Sequence, residues 1–100
     1  MNRLKGDSNT VNGHKNGIWG NSNNVQGNSN EVDGHYNELK GDSNLVDGDK
    51  NGIWGNSNQV QGNSNKVDGD LNKLKGDSNK VDGNSNGVWG NKNQIQGNSN

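Results

Sequence analysis

Three tryptophans, Trp19, Trp54 and Trp89, stand 35 residues apart, and each follows a lysine (Lys5, Lys40 or Lys75) by 14 positions. Were each pair adjacent in space, the ammonium could meet the indole in a cation–π contact. The same indoles could serve lateral packing between molecules, binding of a carbohydrate surface, or simple cover for their own strands. Two aspartate pairs, Asp33 with Asp47 and Asp68 with Asp82, also lie 14 apart. Stacked like charges of this kind carry a mild penalty that a bound cation could relieve. The calcium signature Gly-Gly-x-Gly-x-Asp is missing, however, and Lys66 and Lys80 stand beside the second pair, so both pairs read as solvated charge. His14 and His35 have no second ligand at metal spacing and read as surface residues. Without cysteine there is neither a thiolate metal site nor a cysteine nucleophile. No serine has a nearby base in pattern, and no carboxylate sits in an evident cleft. The chain is expected to be no enzyme, with no metal and no cofactor.

The recurring interval of 14 is twice a shorter one. Asn occurs at every seventh position from 2 to 100. Two residues after each of the first fourteen comes Leu, Ile or Val, from Leu4 to Ile95, and two further on always Gly, from Gly6 to Gly97. The unit is Asn-x-Φ-x-Gly-x-x, where Φ is the aliphatic, and residues 1–100 read as one repeat domain of fourteen heptads. A coiled coil is excluded, because each heptad has one apolar position where a coiled coil needs two, and an obligatory Gly. Spacing by two is strand periodicity, with Asn, Φ and Gly pointing inward and the x positions beside Φ pointing outward. Gly ends the strand, and the next two residues, mostly Asn-Ser, Asp-Ser or Asp-Lys, suit a turn.

The fold expected is all-β, a β-solenoid of the β-roll type. Two heptads per coil give a flattened roll of two parallel sheets, and three give a triangular coil. Residues 2–99 divide into seven coils of 14 but into no whole number of 21, which favours the flattened roll. A 35-residue block, marked by Leu-Lys-Gly-Asp-Ser-Asn at 4, 39 and 74, appears nearly three times above the heptad. In a 14-residue coil it places Trp19 and Trp89 on one face and Trp54 on the other.

Composition alone would suggest disorder, with 21% hydrophobic residues and a mean hydropathy of −1.37. The strict placement of the aliphatics argues otherwise. A net charge of −1 gives no basic field for nucleic acid, and no apolar run could enter a membrane. With so few aliphatics, backbone bonds between coils and stacked side chains must carry much of the stability. An inward Asn can donate to and accept from its copy one coil away, making a structural ladder of Asn9, Asn23, Asn37, Asn51, Asn65 and Asn79. Gly allows the corner and removes a side chain where the walls converge. Both terminal heptads are in pattern, so the end coils are expected to present edges that fit one another.

Read over residues 2–99, the Asn-x-Φ-x-Gly-x-x heptad resembles the ice-recrystallisation-inhibition domain of grass antifreeze proteins. That resemblance implies a left-handed β-roll with an aliphatic core, internal Asn ladders, and ice binding through small outward residues beside the core aliphatic. At those positions this chain holds Lys5, Trp19, Asp33, Asp47 and Lys75 on one face, and Lys40, Trp54, Asp68 and Asp82 on the other. The candidate ice surface is therefore a corner edge: Asn28-Ser29, Asp42-Ser43, Asn56-Ser57, Asp70-Leu71, Asn84-Ser85 and Asn98-Ser99. The main functional expectation is a structural protein whose partner is itself, stacked end to end into cross-β filaments with the tryptophans in lateral contact. The alternative is an ice-binding protein, and the third reading is a module that binds carbohydrate through Trp19, Trp54 and Trp89. A filament or an ice binder would suit an extracellular location.

Overall fold

The structure, a computed structural model, describes residues 2–99. Each heptad contributes one three-residue strand, from β1 (Arg3–Lys5) and β2 (Thr10–Asn12) to β13 (Gly87–Trp89) and β14 (Gln94–Gln96). Odd-numbered strands form one seven-stranded parallel sheet, and even-numbered strands form another. Every pairing joins residues 14 apart, as in Leu4↔Ile18 and Val67↔Val81, so two heptads make one coil and the triangular alternative falls away. The particle measures 35 × 20 × 14 Å, and the aliphatics of the two sheets fill the space between them.

Eleven aliphatics from Val11 to Val81 are buried, while Leu4 and Val88 are partly covered. The end coil leaves Ile95 45% exposed. Burial of one aliphatic per heptad is possible because its neighbours on either side point outward, as the period of two requires. The inward asparagines from Asn16 to Asn86 are also buried, and their polar groups must be matched.

The main-chain bonds at the corners follow one rule. The glycine N–H donates to the next coil, as from Gly48 to the Gln61 carbonyl at 2.8 Å, and the last residue of the heptad does likewise, as from Ser57 to the Asp70 carbonyl at 3.0 Å. The N–H after each Asn turns the other way, as from Gly52 to the Asn37 carbonyl at 2.9 Å. Two N–H groups per heptad take side-chain acceptors instead. The Asn N–H donates to the Oδ1 of the Asn one coil on, as from Asn37 to Asn51 and from Asn51 to Asn65, both at 2.8 Å. The N–H of the sixth residue donates to the side chain of the sixth residue one coil back, as from Asp77 to Asn63 Oδ1 at 2.7 Å.

The asparagine column thus differs in detail from amide-to-amide stacking. Direct Nδ2-to-Oδ1 bonds occur at Asn9–Asn23 and Asn16–Asn30, at 3.2 and 3.1 Å. Elsewhere the Nδ2 donates to a glycine carbonyl, as from Asn37 to Gly20 and from Asn51 to Gly34. In Asn23, Asn58 and Asn65 it is buried without a partner within bonding distance. What the coils from Asn16 onward share is the Oδ1, because a main-chain donor meets it.

Glycine serves the coil spacing more than the convergence of the walls. At Gly48, with φ of 144°, a Cβ would lie 2.0 Å from the Gly34 carbonyl oxygen one coil back. At Gly13, in the first coil, the nearest atom to such a Cβ is Asn16 Nδ2, at 3.5 Å. The seventh residue of each heptad is left-handed, with φ of 57–60°, whether it is Ser, Lys, Tyr or Leu. A side chain in this region costs only modest energy.

Two outcomes follow. Gly48→Ala should break the roll, at a cost of about 4 kcal/mol or more, whereas Gly13→Ala should meet only backbone strain of about 1–3 kcal/mol. Urea melts followed by circular dichroism measure both, and equal losses would refute the steric account. Asn51→Ala removes two buried bonds and strands the Asn37 N–H, at about 1–3 kcal/mol for each unmet group. Asn63→Ala frees an exposed N–H that water can satisfy, and should cost less than about 1 kcal/mol. A melt in which the two substitutions cost the same would remove the special role of the inward column.

Candidate functional site

Three surfaces carry the candidate residues: two sheet faces and the corner edge formed by the even-numbered heptads. On the odd sheet, the fourth-position column reads Lys5, Trp19, Asp33, Asp47, Gln61, Lys75 and Trp89. On the even sheet, Lys40, Trp54, Asp68 and Asp82 are successive neighbours. Trp54 therefore lies on the face opposite Trp19 and Trp89, each Trp has its lysine in register, and the aspartate pairs are stacked.

The indoles do not stack along their rows. A Cβ built on Gly17 would come within 2.8 Å of Trp19 Cη2, and the same distance recurs for Gly52 with Trp54 and Gly87 with Trp89. Each ring therefore lies back along its own strand, over the glycine two residues earlier, where any other residue would collide with it. This is why Trp always follows Gly-Φ, a pairing present in the sequence at 17–19, 52–54 and 87–89. The ring's direction also explains where the cation–ring contact lies. Among the described residues it is Lys50 over Tyr36, at 5.2 Å from the ring centroid, and not a Lys–Trp pair. Lys50 Nζ also donates to the Tyr36 hydroxyl at 3.0 Å, and this bond raises the lysine above its ordinary pKa.

The corner residues prove to be bonded groups as well as turn formers. Asn28 Oδ1 accepts the Asp42 N–H at 2.8 Å, and Asp42 Oδ1 accepts the Asn56 N–H at 2.7 Å. Asn56, Asp70 and Asn84 continue the series at 2.6–2.9 Å, ending at the Asn98 N–H. On this edge His14 Nδ1 accepts the Asn28 N–H at 2.9 Å, and on the other His35 Nδ1 accepts the Asp49 N–H at 2.8 Å. Both histidines therefore act as corner acceptors, with the proton on Nε2. A signal for this role stands in the sequence: Asn, Asp and His alone fill the sixth position, and each places an acceptor on the atom after Cγ.

Asn28, Ser29, Ser43, Asn56, Ser57, Asn84, Ser85, Asn98 and Ser99 are all exposed and fall on one edge. Its seventh positions are Lys15, Ser29, Ser43, Ser57, Leu71, Ser85 and Ser99, each with φ of 57–60°. The opposite edge carries Tyr36, Lys50 and Lys92 among its serines. The inward column places Asn23, Asn37, Asn51, Asn65 and Asn79 in the interior, with Asn9 partly covered. Open hollows lie on the sheet faces; one of about 520 Å³ is lined by Arg3, Lys15, Gly17, Trp19, Ser29 and Glu31. No group of three or more His, Cys, Asp or Glu suited to a metal occurs among the described residues.

Compared with known proteins, the chain finds no match among curated proteins and none among solved structures. One family does match, the grass antifreeze β roll, and it is not an enzyme family. The match runs over residues 1–100, and with its two parallel sheets and 14-residue coil the chain belongs to the grass antifreeze β-roll family.

Proposed function

We propose that this chain binds ice and restrains its recrystallisation through the corner edge that runs from Asn28 to Ser99. One observation favours a corner over the sheet faces, and the run of serines at 29, 43 and 57, resumed at 85 and 99, favours this corner. Coil after coil presents the same two-residue corner in one backbone conformation, and the Asn or Asp of each corner is tied to the next coil. A crystal plane can be matched only by groups that repeat and do not move, because mobile groups would have to be ordered on binding. The sheet faces meet that need less well, since lysine, aspartate and tryptophan alternate along them and hold water unevenly. Membership of an antifreeze family supports ice as the partner. Leu71 is the one apolar residue in the series.

The seventh position accepts lysine at Lys15, Lys50 and Lys92 without change of φ, so serine there can be replaced while the fold is kept. Ser57→Lys combined with Ser85→Lys should raise the concentration needed to hold back recrystallisation about tenfold, equivalent to about 1.4 kcal/mol. Ser64→Lys, on the opposite edge, should leave it unchanged. Equal activity of all three proteins in an annealing assay on frozen sucrose films would reject this edge.

A second reading, end-to-end assembly, draws support from the end coils. Ile95 is 45% exposed, and β1, β2, β13 and β14 are the outermost strands of their sheets. Strands in that position can pair with a further chain. Long uniform filaments a few nanometres wide in negative-stain electron microscopy after days at high concentration would support assembly, and monodisperse small particles would reject it.

A further inference from the structure

The ice-binding edge makes no use of the three tryptophans. An ice surface is not expected to favour bulky rings interleaved with charge, and the core does not require them, since Gln, Asp, Lys or Asn fill the same column position elsewhere. We propose that Trp19, with the groups around it, is a binding platform for a neutral polysaccharide built of equatorially substituted pyranose rings.

The geometry begins with Gly17. Its missing side chain lets the Trp19 ring lie down on the strand, so main chain covers one side of the indole and it is held half-buried. The hollow beside it gathers donors and acceptors: Arg3 and Lys15, Glu31, and the Ser29 hydroxyl, which is both. The register sets Arg3 and Glu31 on the two sides of Gly17, with Lys5 and Asp33 on the two sides of Trp19. An aromatic plane rimmed by a cation on one side and a carboxylate on the other suits a ligand with a flat C–H face and a rim of hydroxyls. Such a pyranose can lay its apolar face on the indole while its hydroxyls donate to Glu31 and accept from Arg3. A nucleic-acid base would also stack, but its phosphates would meet Glu31 and Asp33 on a chain of net charge −1.

The platform is repeated. Trp54 lies on Gly52 between Glu38 and Lys66, on the opposite face. Trp89 lies on Gly87 with Lys73 and Lys75 beside it and no paired carboxylate, a partial platform on the same face as Trp19 and five coils away, which is about 24 Å at the spacing of paired strands. Two platforms in line along one sheet can hold one polymer chain at two points, so a polysaccharide should bind more tightly than a short oligosaccharide.

The test uses the full chain, with cellohexaose as the short ligand and soluble cereal β-glucan as the polymer. Cellohexaose should shift the tryptophan emission to shorter wavelength, and β-glucan cast into a native gel should retard the protein. Trp19→Ala should weaken gel retardation about tenfold, and Trp19→Ala with Trp89→Ala should reduce it further. Gly17→Ala keeps the indole but lifts it from the strand, and should weaken binding as Trp19→Ala does. Circular dichroism of each variant establishes that the roll is intact; if Gly17→Ala unfolds, the tryptophan variants alone decide. The proposal is overturned if neither glycan alters emission or mobility, or if gel retardation survives when Trp19, Trp54 and Trp89 are all replaced by Ala. It is also overturned if emission shifts with protein concentration in the absence of glycan, which would assign the rings to contact between copies. Ice activity unchanged in Trp19→Ala alongside lost retardation would separate this site from the corner edge.

Discussion

A chain with one core aliphatic in seven residues can close into coils only if its corners leave no buried main-chain donor unmet, and the oxygen of the inward asparagine meets that condition. Between Gly48 and Gly52 the backbone alternates between donating forward and donating back, and at Asn51 the donor faces a place where no carbonyl lies. The Oδ1 of Asn65 fills it at 2.8 Å. An unmet N–H at each such corner would cost about 1–3 kcal/mol, against about 2 kcal/mol from one buried aliphatic. The apolar contribution of each heptad would then be largely cancelled. Asparagine at this position is therefore as necessary to the fold as the aliphatic two residues later. The glycine after them keeps the coils close enough for the bond to form, since a Cβ at Gly48 would strike the Gly34 carbonyl.

Much of this was legible in the sequence, and what was not has a common cause. The interval of seven identifies which residues recur, and the alternation within it tells inward from outward, so Val32, Leu39 and Asn37 could be placed in the interior before any coordinates. Divisibility by 14 favoured two sheets. Periodicity, however, says which residues stack without saying which atoms bond. The asparagines therefore suggested amide-to-amide pairing, while the structure gives the oxygens from Asn16 onward to main-chain donors. The corner residues were hidden for a related reason. Asn28, Asp42 and His14 suit turns by composition, and that sufficient explanation concealed the shared acceptor. A glycine in an outward position carries no side chain to signal a role, although Gly17 is what allows Trp19 to lie down.

The same division of labour separates fold from function. The first, third, fifth and sixth positions of the heptad hold the roll together. The second, fourth and seventh vary from Arg3 to Gly17 to Leu45, and from Ser29 to Leu71, with no change in strand register or φ. A scaffold of this kind leaves its outer surface open to any chemistry that repeats at the coil spacing. Family membership then names the scaffold and one use of it, while the arrangement of the variable positions must identify the surface that performs it.

Here the variable positions are not arranged alike. Along one edge the seventh position is serine in five coils of seven, with Lys15 and Leu71 as the exceptions, and on the opposite edge it is serine in four, with Tyr36, Lys50 and Lys92 as the exceptions. Backbone conformation cannot be the cause, because lysine, tyrosine and leucine hold the same left-handed φ as serine. Nor can the need for a corner acceptor, because the sixth position supplies it on both edges. The run of serines at 29, 43 and 57, resumed at 85 and 99, is therefore not required by folding, and the proposed ice contact is a use that such small, uniform corners suit. The sheet faces show the reverse pattern: Trp19 and Trp54 each stand between a lysine and an aspartate, and Trp89 stands beside Lys75. Edge and faces point in different directions on a thin roll and meet at its first coils, where Lys15 and Ser29 of the edge also line the hollow beside Trp19.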